Sequence, residues 1–102
     1  MEASVAIQVL PMRVEQTDAI VRMVDEAIAY IKQEFPDAYV GPFETTIEGD
    51  YTHCMEVVAE VNRRVIAAGA PEVAAYVKIF FSPRDGVLST EEKIAPYHVN
   101  AK

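Results

Sequence analysis

The feature that most limits how this chain can fold is the order in which two kinds of apolar periodicity follow one another. Alternation with a period of two, which is typical of strands, occurs in residues 4–10 and again in residues 73–81. Between them, apolar residues recur every three or four positions in residues 17–35. The same spacing returns in a second stretch, at the start of which Asp50 or Thr52 can act as a helix N-cap. Because this spacing places apolar side chains on one side of a helix, we predict two amphipathic helices set among strands.

Proline and glycine mark the limits of these elements. Pro11 closes the first strand, and Pro36 ends the first helix because its ring disfavours helical backbone before it. Gly41-Pro42 is a turn-like pair between Tyr39-Val40 and residues 43–48. We expect these two segments to be the second and third strands, joined as a hairpin.

The tail of the chain carries a helix-start signal of its own. Ser89 and Glu92 have the spacing of a capping box, in which each side chain accepts a hydrogen bond from the other residue's backbone N–H. The sequence therefore predicts a short C-terminal helix from Thr90 to about Ala95, ended by Pro96.

The order β-α-β-β-α-β predicts an α+β sandwich of the ferredoxin-like type. A four-stranded antiparallel sheet with strand order 4-1-3-2 would carry both long helices on one face, because both crossovers must be right-handed. The short C-terminal helix follows the fourth strand. The chain has 102 residues, a common length for one domain, so we expect residues 1–102 to form a single domain.

Two helices on one face leave the other face of the predicted sheet uncovered. Alternation along strands one and four assigns to this open face Ser4, Ala6, Gln8, Leu10, Tyr76, Lys78 and Phe80. This set is too apolar to stay fully exposed to water and too polar to form a hydrophobic core, so we interpret the face as a contact surface. Strand four would also be an edge strand. Its apolar run, residues 76–81, favours a homodimer or homotetramer over a monomer covered by its own C-terminal helix.

Composition excludes several classes of function. Sixteen acidic and nine basic residues give a net charge of −7, which argues against a general nucleic-acid binder. No apolar run is long enough to cross a bilayer, and Met1-Glu2-Ala3 does not open a signal peptide. Cys54 is the lone cysteine, so no internal disulfide is possible and a reducing compartment is indicated. We expect a cytoplasmic protein in which Cys54 is a small buried apolar residue.

Few residues have the pattern of a catalytic or metal site. The loop after strand one lacks glycine, which a phosphate-cradling loop needs, and no Cys-x-x-Cys pair is present. His53 and His98 have no partner at ligand or base spacing, and we interpret both as surface histidines. Glu48 and Asp50 could form an acid/base pair, but a strand-end carboxylate and a helix cap are the favoured roles. We therefore predict no catalytic residue, metal or cofactor.

One stretch of the sequence, Val40 to Asp50, is more specific than the rest. It contains Gly-Pro-x-x-Thr-Thr-x-Glu-Gly at the predicted hairpin, and it resembles the signature of the thiamine-binding, YkoF-like family of small bacterial and archaeal proteins. The resemblance extends to residues 4–11 and to Glu91-Glu92-Lys93 with Tyr97. After strand four, where family members often carry acidic residues, this chain has Phe80-Phe81-Ser82-Pro83.

The resemblance implies a ferredoxin-like domain that assembles into dimers or tetramers and binds thiamine or its hydroxymethylpyrimidine half without known catalysis. An aminopyrimidine needs a few fixed hydroxyl, amide and carboxylate groups beside an apolar wall, and the thiazolium cation suits a carboxylate or an aromatic face. The residues that supply these groups, and that we expect to contact the ligand, are Ser4, Gln8, Thr45, Thr46, Glu48 and Tyr76. The strand register decides between Thr45 and Thr46, and both also suit a strand for β-propensity alone.

Three functional hypotheses follow. The first is non-enzymatic binding of thiamine or hydroxymethylpyrimidine, as a carrier, buffer or sensor. The alternative is an oligomeric structural or interaction module that has no small-molecule ligand. The third, less favoured, is an enzyme of thiamine or pyrimidine metabolism that would use Glu48, Asp50 or His53.

Overall fold

A computed structural model describes residues 2–98 of the chain. The elements run in the order β1 (Ala3–Met12), α1 (Thr17–Glu34), β2 (Tyr39–Val40), β3 (Thr45–Gly49), α2 (Tyr51–Ala67), β4 (Glu72–Phe81) and α3 (Thr90–His98). The predicted ferredoxin-like βαββαβ order with a short C-terminal helix is confirmed. Among the described helices, none is long and apolar enough to cross a membrane.

The four strands form one antiparallel sheet with the order β2-β3-β1-β4. This is the predicted strand order, and β4 is at an edge. The two long strands pair over their whole length, from Ala3 opposite Phe81 to Met12 opposite Glu72. On its other side β1 pairs with β3, with Val5 opposite Ile47 and Ala6 opposite Thr46. The central position of β1 ties both halves of the sheet to one register.

The hydrophobic core lies between the sheet and the two long helices. Its fully buried members come from one face of the sheet and from the facing sides of α1 and α2: Val5, Ile47, Ile31, Cys54, Val57, Val61 and Val65. Opposed residues on neighbouring antiparallel strands point to the same face. The residues between the core positions of each strand therefore point away from the helices, onto the open face predicted from the alternation.

The helix starts follow the predicted capping chemistry. Asp50 is the N-cap of α2, and its carboxylate accepts a hydrogen bond of 2.9 Å from the backbone N–H of His53. At α3, the N–H of Ser89 donates to Glu92 (2.8 Å) and the N–H of Glu92 donates to the Ser89 hydroxyl (3.1 Å). The capping box is thus present in full, and its hydrogen bonds hold the pKa of the Glu92 carboxyl below its usual value.

Three predicted boundaries were wrong. Pro11 was expected to close the first strand, but β1 continues to Met12 and Pro11 pairs with Val73. β3 pairs with β1 only as far as Ile7, so Pro11 has a neighbouring strand on one side only and its missing N–H is tolerated.

Phe43 and Glu44 were assigned to strand three, but they lie in the loop before β3, because the Gly41 N–H donates to the Glu44 carbonyl and closes that loop. Pro96 was expected to end α3, yet the helix is described as far as His98. A proline near the end of a helix gives up its own hydrogen bond without preventing the next residues from keeping helical backbone.

The capping role of Asp50 can be tested by substitution. We expect Asp50→Ala to lower the free energy of unfolding by about 1 kcal/mol, because the N–H of His53 loses its acceptor. Asp50→Ser keeps an acceptor at the cap and should lose much less. Urea denaturation of the three proteins measures the difference, and equal losses in both variants would contradict the assignment.

Cys54 provides a test of core burial through pH. Its thiol is fully buried as predicted, and desolvation, followed by the nearby Asp50 and Glu2 carboxylates, raises its pKa from 9.0 to about 11. The unfolded thiol therefore ionises at lower pH than the folded one, so its contribution to stability is present below pH 9 and is lost as the pH rises toward 11. Other groups titrate in this range, and Cys54→Ala isolates the thiol. The decline in unfolding free energy should be shallower in the variant, and parallel pH profiles would contradict the prediction.

Candidate functional site

A cavity of about 770 Å³ lies on the open face of the sheet. Its floor comes from β1, β3 and β4, one wall is the loop from Gly41 to Glu44, and the opposite wall is α3. Pockets of roughly 300–1,000 Å³ are typical of small-molecule sites. The cavity therefore has the size of a ligand site, on the face that the sequence marks as a contact surface.

The strand register arranges the cavity floor in rows of residues that lie side by side across the sheet. The row next to α3 contains Glu48, Ser4 and Phe80, the middle row contains Thr46, Ala6 and Lys78, and the last row contains Gln8 and Tyr76. Successive rows are about 7 Å apart, because alternate residues of a strand are separated by two steps of ~3.4 Å. Ala6 has the smallest side chain of these rows and lies in the middle row, between Thr46 and Lys78.

Helix α3 is held against the sheet by two polar contacts. The carboxylate of Glu48 accepts hydrogen bonds from the Thr90 backbone N–H at 2.6 Å and from the Thr90 hydroxyl at 3.3 Å. One turn further on, the ammonium of Lys93 donates to the hydroxyl of Ser4 at 3.3 Å. These contacts turn Thr90, Lys93 and Ile94 toward the cavity. Glu48 thus anchors the wall.

The opposite wall depends on a glycine. A Cβ at Gly41 would lie 3.0 Å from the carbonyl oxygen of Glu44, which is tighter than most real Cβ contacts, so the Glu44 backbone would have to shift by a few tenths of an ångström. The close approach lets the loop project Phe43, which is 78% exposed, and place Glu44 at the cavity. There the Glu44 carboxylate forms an ion pair with Lys78, with an N–O distance of 3.0 Å.

The structure brings four of the six predicted ligand residues into this cavity, namely Ser4, Gln8, Thr46 and Tyr76. Thr45 is not among them. It pairs with Ile7 on the helix side of the sheet and is only 5% exposed, so the register turns Thr46 toward the cavity. Glu48 lies on the cavity face, but its carboxylate is engaged by Thr90. Which residues contact a ligand stays a prediction.

Sequence reasoning missed several residues of the cavity. The loop residues Phe43 and Glu44 lie inside the hairpin motif, but their assignment to a strand hid their role as a wall. The capping box indicated α3, but no local signal showed that Thr90 and Lys93 would pack against strands more than forty residues earlier. A sequence pattern shows that an amphipathic surface exists, and its packing partner depends on the whole fold.

Of the three groups considered for catalysis, Glu48 lies on the cavity face, whereas Asp50 and His53 are not among the residues that line the cavity. His53 has a partner, contrary to the prediction: its Nε2 lies 2.9 Å from Glu34 Oε1, and its ring stacks on Phe35 with centroids 4.5 Å apart. Asp50 caps α2, as favoured. Within residues 2–98, no three His, Cys, Asp or Glu side chains are grouped so that they could hold a metal ion.

Comparison with known proteins relates this chain to a protein family. The chain matches the family model described as "Thiamine-binding protein" over residues 5–98. The UPF0045 protein CPE1503 of Clostridium perfringens is 34% identical over 94 residues, which cover 92% of this chain and 95% of that protein.

Two solved structures share the fold over nearly the whole chain. The domain of unknown function DUF77 from Bacillus cereus superposes with a TM-score of 0.82 at 30% identity, over 95% of this chain and 90% of that chain. A candidate thiamine biosynthesis/salvage protein from Thermotoga maritima superposes with a TM-score of 0.80 at 27% identity, over 95% and 99%. The resemblance noted at the hairpin motif thus extends to sequence and structure together, and the chain belongs to the thiamine-binding protein family.

Proposed function

We propose that this protein binds thiamine, or its hydroxymethylpyrimidine half, in the open-face cavity and does not transform it. The observation that carries the proposal is that Ser4, Gln8, Thr46 and Tyr76, which are distant in sequence, line one cavity of suitable size. Membership in the thiamine-binding protein family and the likeness to the Thermotoga maritima protein support the choice of ligand.

The lining of the cavity matches the chemistry of an aminopyrimidine. The ring presents an amino donor beside a ring-nitrogen acceptor, and the Gln8 amide offers an acceptor and a donor in the complementary arrangement. The hydroxyls of Ser4 and Thr46 can each donate or accept a further hydrogen bond. Tyr39 and Tyr76 add aromatic surface for the flat ring.

The same lining supports binding without chemistry. Nucleophilic catalysis needs a hydroxyl or thiol within hydrogen-bond reach of a general base. Ser4 is the one serine of the lining, and the contact described for its hydroxyl is with the ammonium of Lys93, which is a donor. The Thr90 hydroxyl does reach a carboxylate, that of Glu48 at 3.3 Å, but the same carboxylate oxygen also accepts the Thr90 backbone N–H at 2.6 Å and holds α3 in place. Neither a histidine nor a cysteine is among the described residues that line the cavity. We infer that the protein acts as a carrier, buffer or sensor of the ligand.

A matched pair of threonines tests the site. We expect Thr46→Val to weaken thiamine binding about fivefold, because the loss of one hydroxyl contact is worth ~1 kcal/mol. Thr45→Val makes the same chemical change on the other side of the sheet and should keep the affinity of the wild type. Titration calorimetry measures both. No heat from folded wild-type protein at millimolar thiamine and hydroxymethylpyrimidine would refute the proposal and favour an interaction module without a ligand.

We also propose that the protein is a homodimer or homotetramer that covers the exposed part of the open face. Helix α3 contacts Ser4 through Lys93, but Tyr76 and Phe80 remain 64% and 60% exposed. β4, which carries both, is an edge strand whose outer hydrogen-bonding groups have no strand beside them in the described sheet. A second copy would cover the edge and the aromatic side chains together.

Light scattering at micromolar concentration tests the assembly. We expect the wild type to have a mass of at least twice 11.3 kDa. Phe80→Glu should shift the mass toward that of one chain, because a carboxylate would be buried at the interface. Ile66→Glu changes an exposed apolar residue of α2 and should leave the mass unchanged. A wild-type mass near 11.3 kDa would refute the oligomer.

A further inference from the structure

The ion pair between Glu44 and Lys78 crosses the floor of the cavity. Lys78 belongs to β4 and Glu44 to the loop before β3, so the lysine side chain reaches over the intervening strand β1. On β1 the residue opposite Lys78 is Ala6, whose methyl group leaves room for that crossing. Both charged groups line the same cavity as the predicted ligand residues.

The two partners of this ion pair differ in how firmly they are placed. The side chain of Lys78 is 76% exposed and that of Glu44 is 36% exposed. The backbone of Glu44 accepts a hydrogen bond of 2.9 Å from the Gly41 N–H, in a loop where a Cβ at position 41 would crowd the Glu44 carbonyl. Exposed ion pairs contribute little to stability, so the lysine can leave at small energetic loss, while the loop keeps the backbone of Glu44 at the edge of the cavity.

The surroundings of Glu44 suit a positively charged ring. Tyr39, Phe43 and Tyr76 line the cavity with aromatic side chains, whose faces attract cations. The net charge of −7 adds a long-range attraction for any cation that approaches. The other lysine of the cavity wall, Lys93, is engaged with Ser4 in the row next to α3.

We propose that Glu44 is the group that recognises the positively charged ring of a thiamine-like ligand, and that Lys78 occupies this place in the free protein as an internal competitor. The inference rests on the proposed function and deepens it. A cationic ligand displaces the ammonium of Lys78 from Glu44, whereas the uncharged hydroxymethylpyrimidine does not compete for the carboxylate. Lys78 therefore sets how strongly the site prefers one ligand over the other.

Titration calorimetry with thiamine and hydroxymethylpyrimidine tests this inference through the ratio of their affinities. In Lys78→Met the ratio should rise about two- to fivefold in favour of thiamine, the range expected for the loss of an exposed ion pair. In Glu44→Gln the ratio should fall about threefold or more. In the Glu44→Gln background, Lys78→Met should raise the ratio less than it does in the wild type, because only the direct repulsion between the ammonium and the cationic ring is then removed.

Arg22→Met serves as the control, because it removes one positive charge from the exposed surface of α1 and should leave the ratio unchanged. Weaker thiamine binding in Lys78→Met would indicate that the lysine contacts the ligand, and it would overturn the inference. If the affinities for both ligands rose equally, the effect of Lys78→Met would come only from the space that the lysine vacates. That result would also overturn the inference. In both cases the proposed function would survive, whereas wild-type protein that binds neither ligand would refute both.

Discussion

The register of β1 is the constraint on which the rest of the structure depends. β1 pairs with β3 on one side and with β4 on the other, so its alternation decides which residues of all three strands face the helices. A slip of one residue would turn Ser4 and Gln8 toward the helices and Val5 and Ile7 toward the open face. Because the apolar core excludes that slip, the same burial that stabilises the fold also fixes the polar lining of the cavity on the opposite face.

Local periodicity in the sequence was enough to predict most of the fold. The order of elements, the two faces of β1 and β4 and both capping motifs could be predicted, because each depends on residues close together in sequence. The face of β3 was left open in the prediction, because Thr45 and Thr46 have equal β-propensity and similar polarity. The alternation within β3 itself separates them, since Thr45 shares a face with the buried Ile47 and Thr46 shares a face with Glu48. The pairing of Thr45 with Ile7 and of Thr46 with Ala6 agrees with that alternation.

Glu48 shows why part of the site was beyond prediction. Its place on the cavity face was foreseen, but its carboxylate is engaged by Thr90, 42 residues later in the chain. The opposite error occurred at Glu44, which the strand assignment treated as an ordinary strand residue although it lies in the wall with Lys78 as its partner. In both cases the role of a carboxylate depends on which distant group forms a hydrogen bond or an ion pair with it. Composition and local spacing do not indicate which group that is.

The pairing of β1 with β4 also has a kinetic consequence. Ile7 lies opposite Val77, so the central strand must wait for a partner from near the other end of the described chain. Pairings of such high sequence separation form slowly, because a long loop has to close before any contact compensates for the lost entropy. The cavity floor is complete only after this step. A ligand held there would bind the finished fold and no earlier intermediate, and its binding energy would therefore add to the cooperative stability of the whole sheet.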